Sequence, residues 1–305
     1  VRTIPALLVT VGLVASLTAC ASGTASASGC DTPSAGSASE SVTASGKLGS
    51  KPTVDVPAKL TTDRTQVSVL TQGTGRVLTD GSPAVIEYTV VDGATGKTVQ
   101  TSGYKGSTSP VTVGSKNAGA LGQALECARV GDRLSIVMTK KALQGGAATT
   151  KTQQSAAVVI ADVVDGFPSR ATGTPQLAAD HMPAVVLAPN GAPGITVPSS
   201  AAPKTDQYHL LRRGGGQTIT SKDTAVVKYT AVTWGSDDAD SSVAGSSWTD
   251  GSGAVTVPLA KGGQIQAGIR NALVGRRVGD QVLAIVSQSG TTYAYVFDLL
   301  GVMPR

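Results

Sequence analysis

A hexapeptide near position 50 of this 305-residue chain returns 141 residues later: Pro52-Thr-Val-Asp-Val-Pro57 recurs as Pro193-Gly-Ile-Thr-Val-Pro198. Gly75 recurs as Gly216 at the same offset, and Val85-Ile-Glu-Tyr-Thr89 as Val226-Val-Lys-Tyr-Thr230. Further on, Ala124-Leu125 and Val130-Gly131-Asp132 return as Ala272-Leu273 and Val278-Gly279-Asp280, now 148 residues apart. An ordered series of this kind marks an internal duplication, so the fold must be one small domain built twice. The second copy carries about seven extra residues, expected around 237–242.

Within each copy the local pattern is the same. Residues 225–232, 281–287 and 291–300 are β-branched and aromatic, which favours strands. Between them Ile265, Ile269, Ala272 and Leu273 fall at helical spacing, and the helix is expected to stop near Gly275 with Arg276 and Arg277 at its C-terminal end. The first copy repeats this with Leu121, Ala124, Leu125 and Ala128 on the helix and strands over 84–91, 133–139 and 156–164. The expected fold class is α+β, two tandem domains, each a curved antiparallel sheet wrapped over one short helix. The domains are expected over 51–165 and 206–305, joined by a Pro/Gly-rich linker over 166–205.

The N-terminus reads as an export signal. Arg2 precedes an apolar run ending in Leu17-Thr18-Ala19-Cys20, too short to be a permanent span. The last four residues resemble the lipobox of bacterial lipoproteins, with Cys20 as the lipidated residue. Residues 1–20 are therefore read as a lipoprotein signal peptide and 21–50 as a flexible Ser/Ala/Gly tether. The expected location is extracytoplasmic, on the outer face of the cytoplasmic membrane, held through the lipid anchor. Cys30 and Cys127 then remain in an oxidising compartment, where they either form a disulfide or stay as two free thiols.

Several function classes are disfavoured. The net charge of +5 is spread thinly, without basic clusters interleaved with aromatics, so no nucleic-acid partner is expected. The only histidines, His181 and His209, have no ligand set beside them, and no metal or cofactor is expected. Gly93-Ala-Thr-Gly-Lys-Thr98 lacks the first glycine of a phosphate loop and reads as a hairpin turn. Aromatic residues are 3% of the chain and, apart from Tyr88 and Tyr104, all lie beyond residue 166, which puts any aromatic-lined pocket in the second half.

The stretch Gly263-Gln-Ile-Gln-Ala-Gly-Ile-Arg-Asn-Ala-Leu-Val-Gly-Arg-Arg-Val-Gly-Asp280 is similar to the V-I-x-G-W-x-x-A/G-L-x-G-x-x-V-G segment of the FKBP-type peptidyl-prolyl isomerases. The strand ending in Tyr229 resembles their V-x-Y-T-G strand, Val296-Phe-Asp-Leu-Leu300 their closing strand, and Ser246-Ser247-Trp248 the tail of their F-D-S-S-W stretch. The resemblance spans most of 206–305 and, more weakly, 62–165. It implies rotation about X-Pro bonds, whose uncatalysed barrier is roughly 18–20 kcal/mol. That reaction needs no nucleophile, metal or cofactor, only a dry, mostly aromatic pocket and suitable donors.

Carried over residue by residue, the resemblance implies a peptide-binding wall of Tyr229, Ile265, Ile269, Tyr295 and Trp248, with weaker counterparts Tyr88 and Leu121 in the first copy. No residue is assigned a confident catalytic role. Ala244 and Gly245 stand where the family has Phe-Asp, Gln266 where it has Ile, and Ile269 where it has Trp. The first copy has Val99 and Gln100 at the Phe-Asp pair and Val159 at the closing Phe. The loop tyrosine is missing from both copies. The implied function is weak isomerase activity confined to the second domain, assisting the folding of exported polypeptides. The alternative is a non-catalytic scaffold that binds a peptide or a cell-envelope protein.

Overall fold

The computed structural model describes residues 30–304 apart from 107–109, 147–148, 178–179 and 236–239. The segment read as an export signal, with Cys20, lies outside the described residues. The first half contains α1 (Ser37–Glu40), β1 (Thr43–Ser45), β2 (Thr53–Asp55), β3 (Thr61–Arg64), β4 (Gln66–Thr71), β5 (Pro83–Asp92), β6 (Thr98–Thr101), β7 (Val111–Thr112), α2 (Ser115–Ala124), β8 (Arg133–Thr139), α3 (Lys140–Leu143) and β9 (Thr149–Gly166). The second contains β10 (Thr174–Pro175), β11 (Ala184–Leu187), β12 (Pro193–Thr196), β13 (Gln207–Arg213), β14 (Thr224–Thr233), β15 (Val243–Ser246), β16 (Val255–Pro258), α4 (Ala267–Leu273), β17 (Gln281–Gln288) and β18 (Thr291–Val302).

The duplication is visible strand by strand. The first sheet runs β4-β8-β9-β5-β6, and the second runs β13-β17-β18-β14-β15 with β10 added beyond β13. Gln100 pairs with Val90 and Gly245 with Ala231, so the offset has grown to 145 by the end of the β14–β15 hairpin. Four of the seven extra residues therefore fall in that hairpin loop. The recurring Val-Gly-Asp has a structural cause. Asp132 Oδ1 accepts from Gly73 N at 2.6 Å and Oδ2 from Arg129 N at 2.7 Å. Asp280 does the same for Gly214 N at 2.6 Å and Arg277 N at 2.8 Å. A Cβ on Gly73 or Gly214 would sit 2.4 Å from the carbonyl oxygen of Val130 or Val278, so the turn requires glycine in both copies.

The α+β class expected from the sequence is corrected by the structure. Strands account for 44% of the protein and helices for 9%, so the architecture is mostly β. Nor does each domain hold one helix: among the described residues α1, α2 and α3 precede or interrupt the first sheet, and α4 alone belongs to the second. The helices are too short to form a layer. In α2, Gly119 takes φ 54° and ψ −137°, which breaks the helical run, because a glycine backbone reaches this region without a Cβ clash. On one side of each sheet the helix packs on the core, with Ala124 and Leu125, or Ala272 and Leu273, fully buried.

The opposite face of each sheet is covered by strands. The hairpin β1–β2 lays Ala44, Val54 and Val56 against Val91, Val137, Val158 and Ile160. The hairpin β11–β12 lays Val185 and Ile195 against Val232, Leu283, Ala294 and Val296. The matching hexapeptides at 52–57 and 193–198 are the second strands of these covering hairpins. Residues 30–50, expected as tether, are thus part of the packed structure. Val42 is fully buried, and the Arg133 guanidinium donates to the carbonyls of Gly46 and Lys47 at 2.9 and 3.2 Å. Cys30 and Cys127 are joined by a disulfide, with Cα atoms 5.9 Å apart.

The two halves share a seam. Val85 of the first sheet, Phe167 of the connecting segment, and Val226, Ala254, Leu300 and Met303 of the second half form one buried cluster. Gly301 leaves room for the Phe167 ring, which a Cβ would meet at 2.1 Å. Gly253 brings its backbone so close to Thr112 that a Cβ would lie 2.0 Å from the hydroxyl.

Candidate functional site

Strand β18 carries Tyr293, Tyr295 and Phe297 at alternate positions, which places all three on the helix side of the second sheet. The Tyr295 and Phe297 rings stack at 5.3 Å, and Tyr293 lies 5.9 Å from Tyr295. Tyr229 sits directly across from Phe297 on β14, with ring centroids 6.3 Å apart. Ile265, just before α4, and Ile269, on its first turn, are half-buried against the same core. Four of the five residues named for the wall thus converge: Tyr229, Ile265, Ile269 and Tyr295, over a Phe297 that is 3% exposed. Burial pushes the Tyr295 hydroxyl above its ordinary pKa, opposed by a hydrogen bond with Gln288 and reinforced by Tyr293 and Tyr229 alongside.

The β15 position beside the Tyr229 hydroxyl is a glycine. A Cβ on Gly245 would lie 3.5 Å from Tyr229 Oη. In the first copy the equivalent Gln100 fills it, its Nε2 donating to Tyr88 Oη at 2.9 Å. Ala161 faces Tyr88 where Phe297 faces Tyr229, so the first wall has lost its aromatic floor. Tyr88 and Leu121 remain packed against the first core. The loop between β17 and β18 is a two-residue turn, with Ser289 at φ 48° and Gly290 at φ 85°. A turn this tight cannot extend a side chain over the wall.

No family model and no curated protein matches this chain. Solved structures do match, among them the crystal structure of the three FKBP domains of wheat FKBP73. That structure is 14% identical, with a TM-score of 0.30, over 78% of this chain and 94% of that one.

Trp248, the fifth residue named for the wall, lies elsewhere. Alternate residues on a strand face opposite sides, so Lys228 points away from the face that carries Tyr229. Trp248 packs over Lys228, with Nζ 4.3 Å from the ring centroid. The Lys228 ammonium, 4% exposed, also donates to the carbonyls of Gly81 at 2.9 Å and Ser169 at 3.0 Å. It therefore ties the second sheet to a turn of the first domain and to the connecting segment. Burial lowers its pKa to about 8, against the opposing pull of the Asp298 and Asp80 carboxylates. Asp298 is itself buried, accepting from Ala171 N at 2.8 Å and Gln281 Nε2 at 2.7 Å. Burial raises its pKa, while those bonds and the Lys228 and Arg212 charges oppose the rise. The sequence carried one signal of this tie that a reading for pocket residues passes over. The repeated strand has Glu87 in one copy and Lys228 in the other.

Proposed function

We propose that this chain is an FKBP-type peptidyl-prolyl isomerase of low activity, with its isomerising surface on the aromatic wall of the second domain. In this reading it is held to the outer face of the cytoplasmic membrane through Cys20 and acts on exported polypeptides. The observation that supports it is the convergence of Tyr229, Ile265, Ile269 and Tyr295 over Phe297.

An X-Pro segment laid on that wall would shed water from the proline ring and from one side of the amide. Desolvation disfavours the polar, resonance-stabilised planar amide relative to the twisted one, which is the direction catalysis needs. The Tyr229 hydroxyl, with no side chain at Gly245 to engage it, is the polar group nearest that amide. The first domain, with Gln100 over Tyr88 and no aromatic floor, serves as a scaffold held by the seam.

The test uses the full chain in a refolding assay limited by a slow X-Pro step. The refolding rate should rise linearly with protein concentration, and Ile269→Ala and Tyr229→Ala should lower that slope several-fold. A second reading, a non-catalytic binding scaffold, is favoured by the missing side chain at Gly245. A flat response from folded protein that still binds proline-containing peptides, lost in Tyr229→Ala, would replace the first reading by the second.

A further inference from the structure

Two basic pairs, Arg212-Arg213 and Arg276-Arg277, stand far apart in the sequence and meet at one end of the second domain. Gly214 N donates to Asp280 and Thr218 bridges to Arg277, so residues 213–219 run alongside 275–280. Gly275 N donates to the Ile219 carbonyl at 2.8 Å, and Leu259 N to the Asp223 carbonyl at 3.0 Å. Three loops, 213–223, 259–263 and 274–280, therefore stand side by side at this end of the sheet. They carry Arg213, Lys222, Lys261 and Arg277, all exposed, and Arg276, half-buried.

Two carboxylates belong to these loops, and each is turned onto its own backbone. Asp223 accepts from Thr220 N at 2.8 Å and Thr220 Oγ1 at 2.7 Å, and Asp280 from Gly214 N and Arg277 N. A third, Asp298, is buried, with Lys228 and Arg212 as its opposing charges. The ion pairs among the described residues, Arg64–Asp63, Arg133–Asp162 and Lys140–Asp92, all lie in the first half. The fold does not demand the loop cations. The first copy builds the same turns with Gln72, Gly81 and Ala128 where the second has Arg213, Lys222 and Arg276. Asp206 and Asp240 stand at the opposite end. Strand β14 runs ten residues, about 33 Å, from the basic loops toward Asp240, and Asp206 accepts from Ser287 N near the far end of β17.

We propose that the basic end of the second domain docks on an anionic membrane surface, its arginine forks and lysines engaging lipid phosphate groups. This rests on the location given above, a chain held to the membrane through Cys20, and not on isomerase activity. The cations are spread over three loop tips, which suits an extended charged plane. The same plane repels the acidic end, so the field orients the domain as well as attracting it. Residues 21–29 span at most about 35 Å between Cys20 and Cys30, which keeps the chain near enough for a weak contact to persist. Docking holds the Tyr293 end of the aromatic row away from the bilayer, because Tyr293 pairs with Thr233 at the far end of β14.

The test uses the polypeptide from residue 21 onward, which holds every described residue and lacks both the apolar run and the lipid. Co-sedimentation is measured with vesicles of phosphatidylcholine alone and of equal parts phosphatidylglycerol and phosphatidylcholine. The expected result is binding to the anionic vesicles only, weakened by added sodium chloride. Arg213→Gln with Arg276→Ala, the residues of the first copy, should weaken binding about tenfold. Lys59→Gln with Lys97→Gln removes as many charges from exposed positions of the first domain and should leave binding unchanged. No binding to anionic vesicles, binding that ignores salt or lipid charge, or equal loss in the two double variants would overturn the proposal. Binding to polyglutamate but not to vesicles, lost in Arg213→Gln with Arg276→Ala, would replace the membrane by an acidic polypeptide. The anchor is read separately, from whether the whole chain made in a bacterium fractionates with membranes and Cys20→Ser does not; its failure would remove the lipid anchor, while vesicle binding decides the patch.

Discussion

Glu87 and Lys228 occupy the same position of the two copies, one bonded within its own domain and the other bonded across the seam. Glu87 accepts from the Ser102 hydroxyl and from Gly106 N, the latter at 3.0 Å, which closes the first domain on itself. Lys228 donates instead to Gly81 and Ser169. The two copies thus carry opposite charges at one position, used within a domain in the first and between the halves in the second. Lys228→Ala should lower stability by about 2–3 kcal/mol in urea unfolding, since it strips the packed stem and leaves two carbonyls without their donor. Lys228→Met keeps the stem and removes the cost of burying the charge, so its net effect should stay within about 1 kcal/mol.

The same lysine sets a pH dependence. Its pKa falls from 10.5 to about 8 on folding, so between these values the unfolded chain binds the proton more tightly. Stability should therefore rise as pH increases from about 8 toward 10.5, and be lost again as pH falls through about 8. The gain should be about 3 kcal/mol over the full window. Burial raises the tyrosine pKa values of Tyr104, Tyr208 and Tyr295, which works the other way from about pH 10 upward. Urea midpoints between pH 7.5 and 9.5 should climb in the wild type and stay level in Lys228→Met. Equal slopes in the two proteins would remove Lys228 as the cause.

In the first domain the corresponding depth is held by an ion pair. Arg133 Nε and Nη2 reach the two oxygens of Asp162 at 2.6 and 2.7 Å, with both side chains almost fully buried. The Asp162 carboxylate holds the guanidinium pKa above its ordinary value, and it also accepts from Gly49 N at 2.7 Å. Arg133→Met would leave that carboxylate without its cation, at a cost of about 3–5 kcal/mol. Hydrogen exchange should then quicken over residues 43–55, the covering hairpin that this pair anchors.

The Cys30–Cys127 bond closes a loop with a sequence separation of 97 residues. Reduction, or Cys30→Ser together with Cys127→Ser, should lower stability by about 2–4 kcal/mol. Proteolysis should then begin at residues 30–36, where the bonds of Asp31 and Thr32 with Glu126 and Gln123, and of the Ser34 carbonyl with Val67 N, would be the remaining ties to the core. An unchanged unfolding midpoint after reduction would show that the segment is held by its other contacts.

Gly245 invites a gain-of-function test. Its φ is not in the left-handed region, and a Cβ there would make an ordinary contact with Tyr229 Oη at 3.5 Å. Gly245→Asp should therefore fold, and on the isomerase reading it should raise the rate several-fold by engaging the tyrosine. No change in rate, from a variant as stable as the wild type, would count against Tyr229 as the polar group of the wall.

Much of this was legible in the sequence, for identifiable reasons. The β-branched and aromatic content of residues 291–300 is a local property, so the strand that carries Tyr295 could be read directly, whereas its row with Tyr293 and Phe297 emerges from the structure. The repeat offsets fixed which strands correspond, and the structure keeps that correspondence at Tyr88 and Tyr229. The resemblance puts Trp248 on the wall and the structure packs it over Lys228, because its face depends on the tight turn after β15, where Trp248 N donates to Ser246 Oγ at 3.4 Å. No periodicity reports such a turn. The covering hairpins were obscured by composition. Residues 43–55 are mostly small or polar and 184–196 are broken by Pro189, Gly191, Pro193 and Gly194, so their apolar residues acquire meaning only against the sheet that they cover.

Those hairpins govern how the molecule can be dissected or recombined. A fragment cut at residue 206 would keep every strand of the second sheet's central path yet leave Val232, Leu283, Ala294 and Val296 bare to solvent, because Val185 and Ile195 would stay behind. The heritable module is the hairpin with the sheet that follows it, and a graft that joins one copy's hairpin to the other's sheet would have to solve a new packing problem.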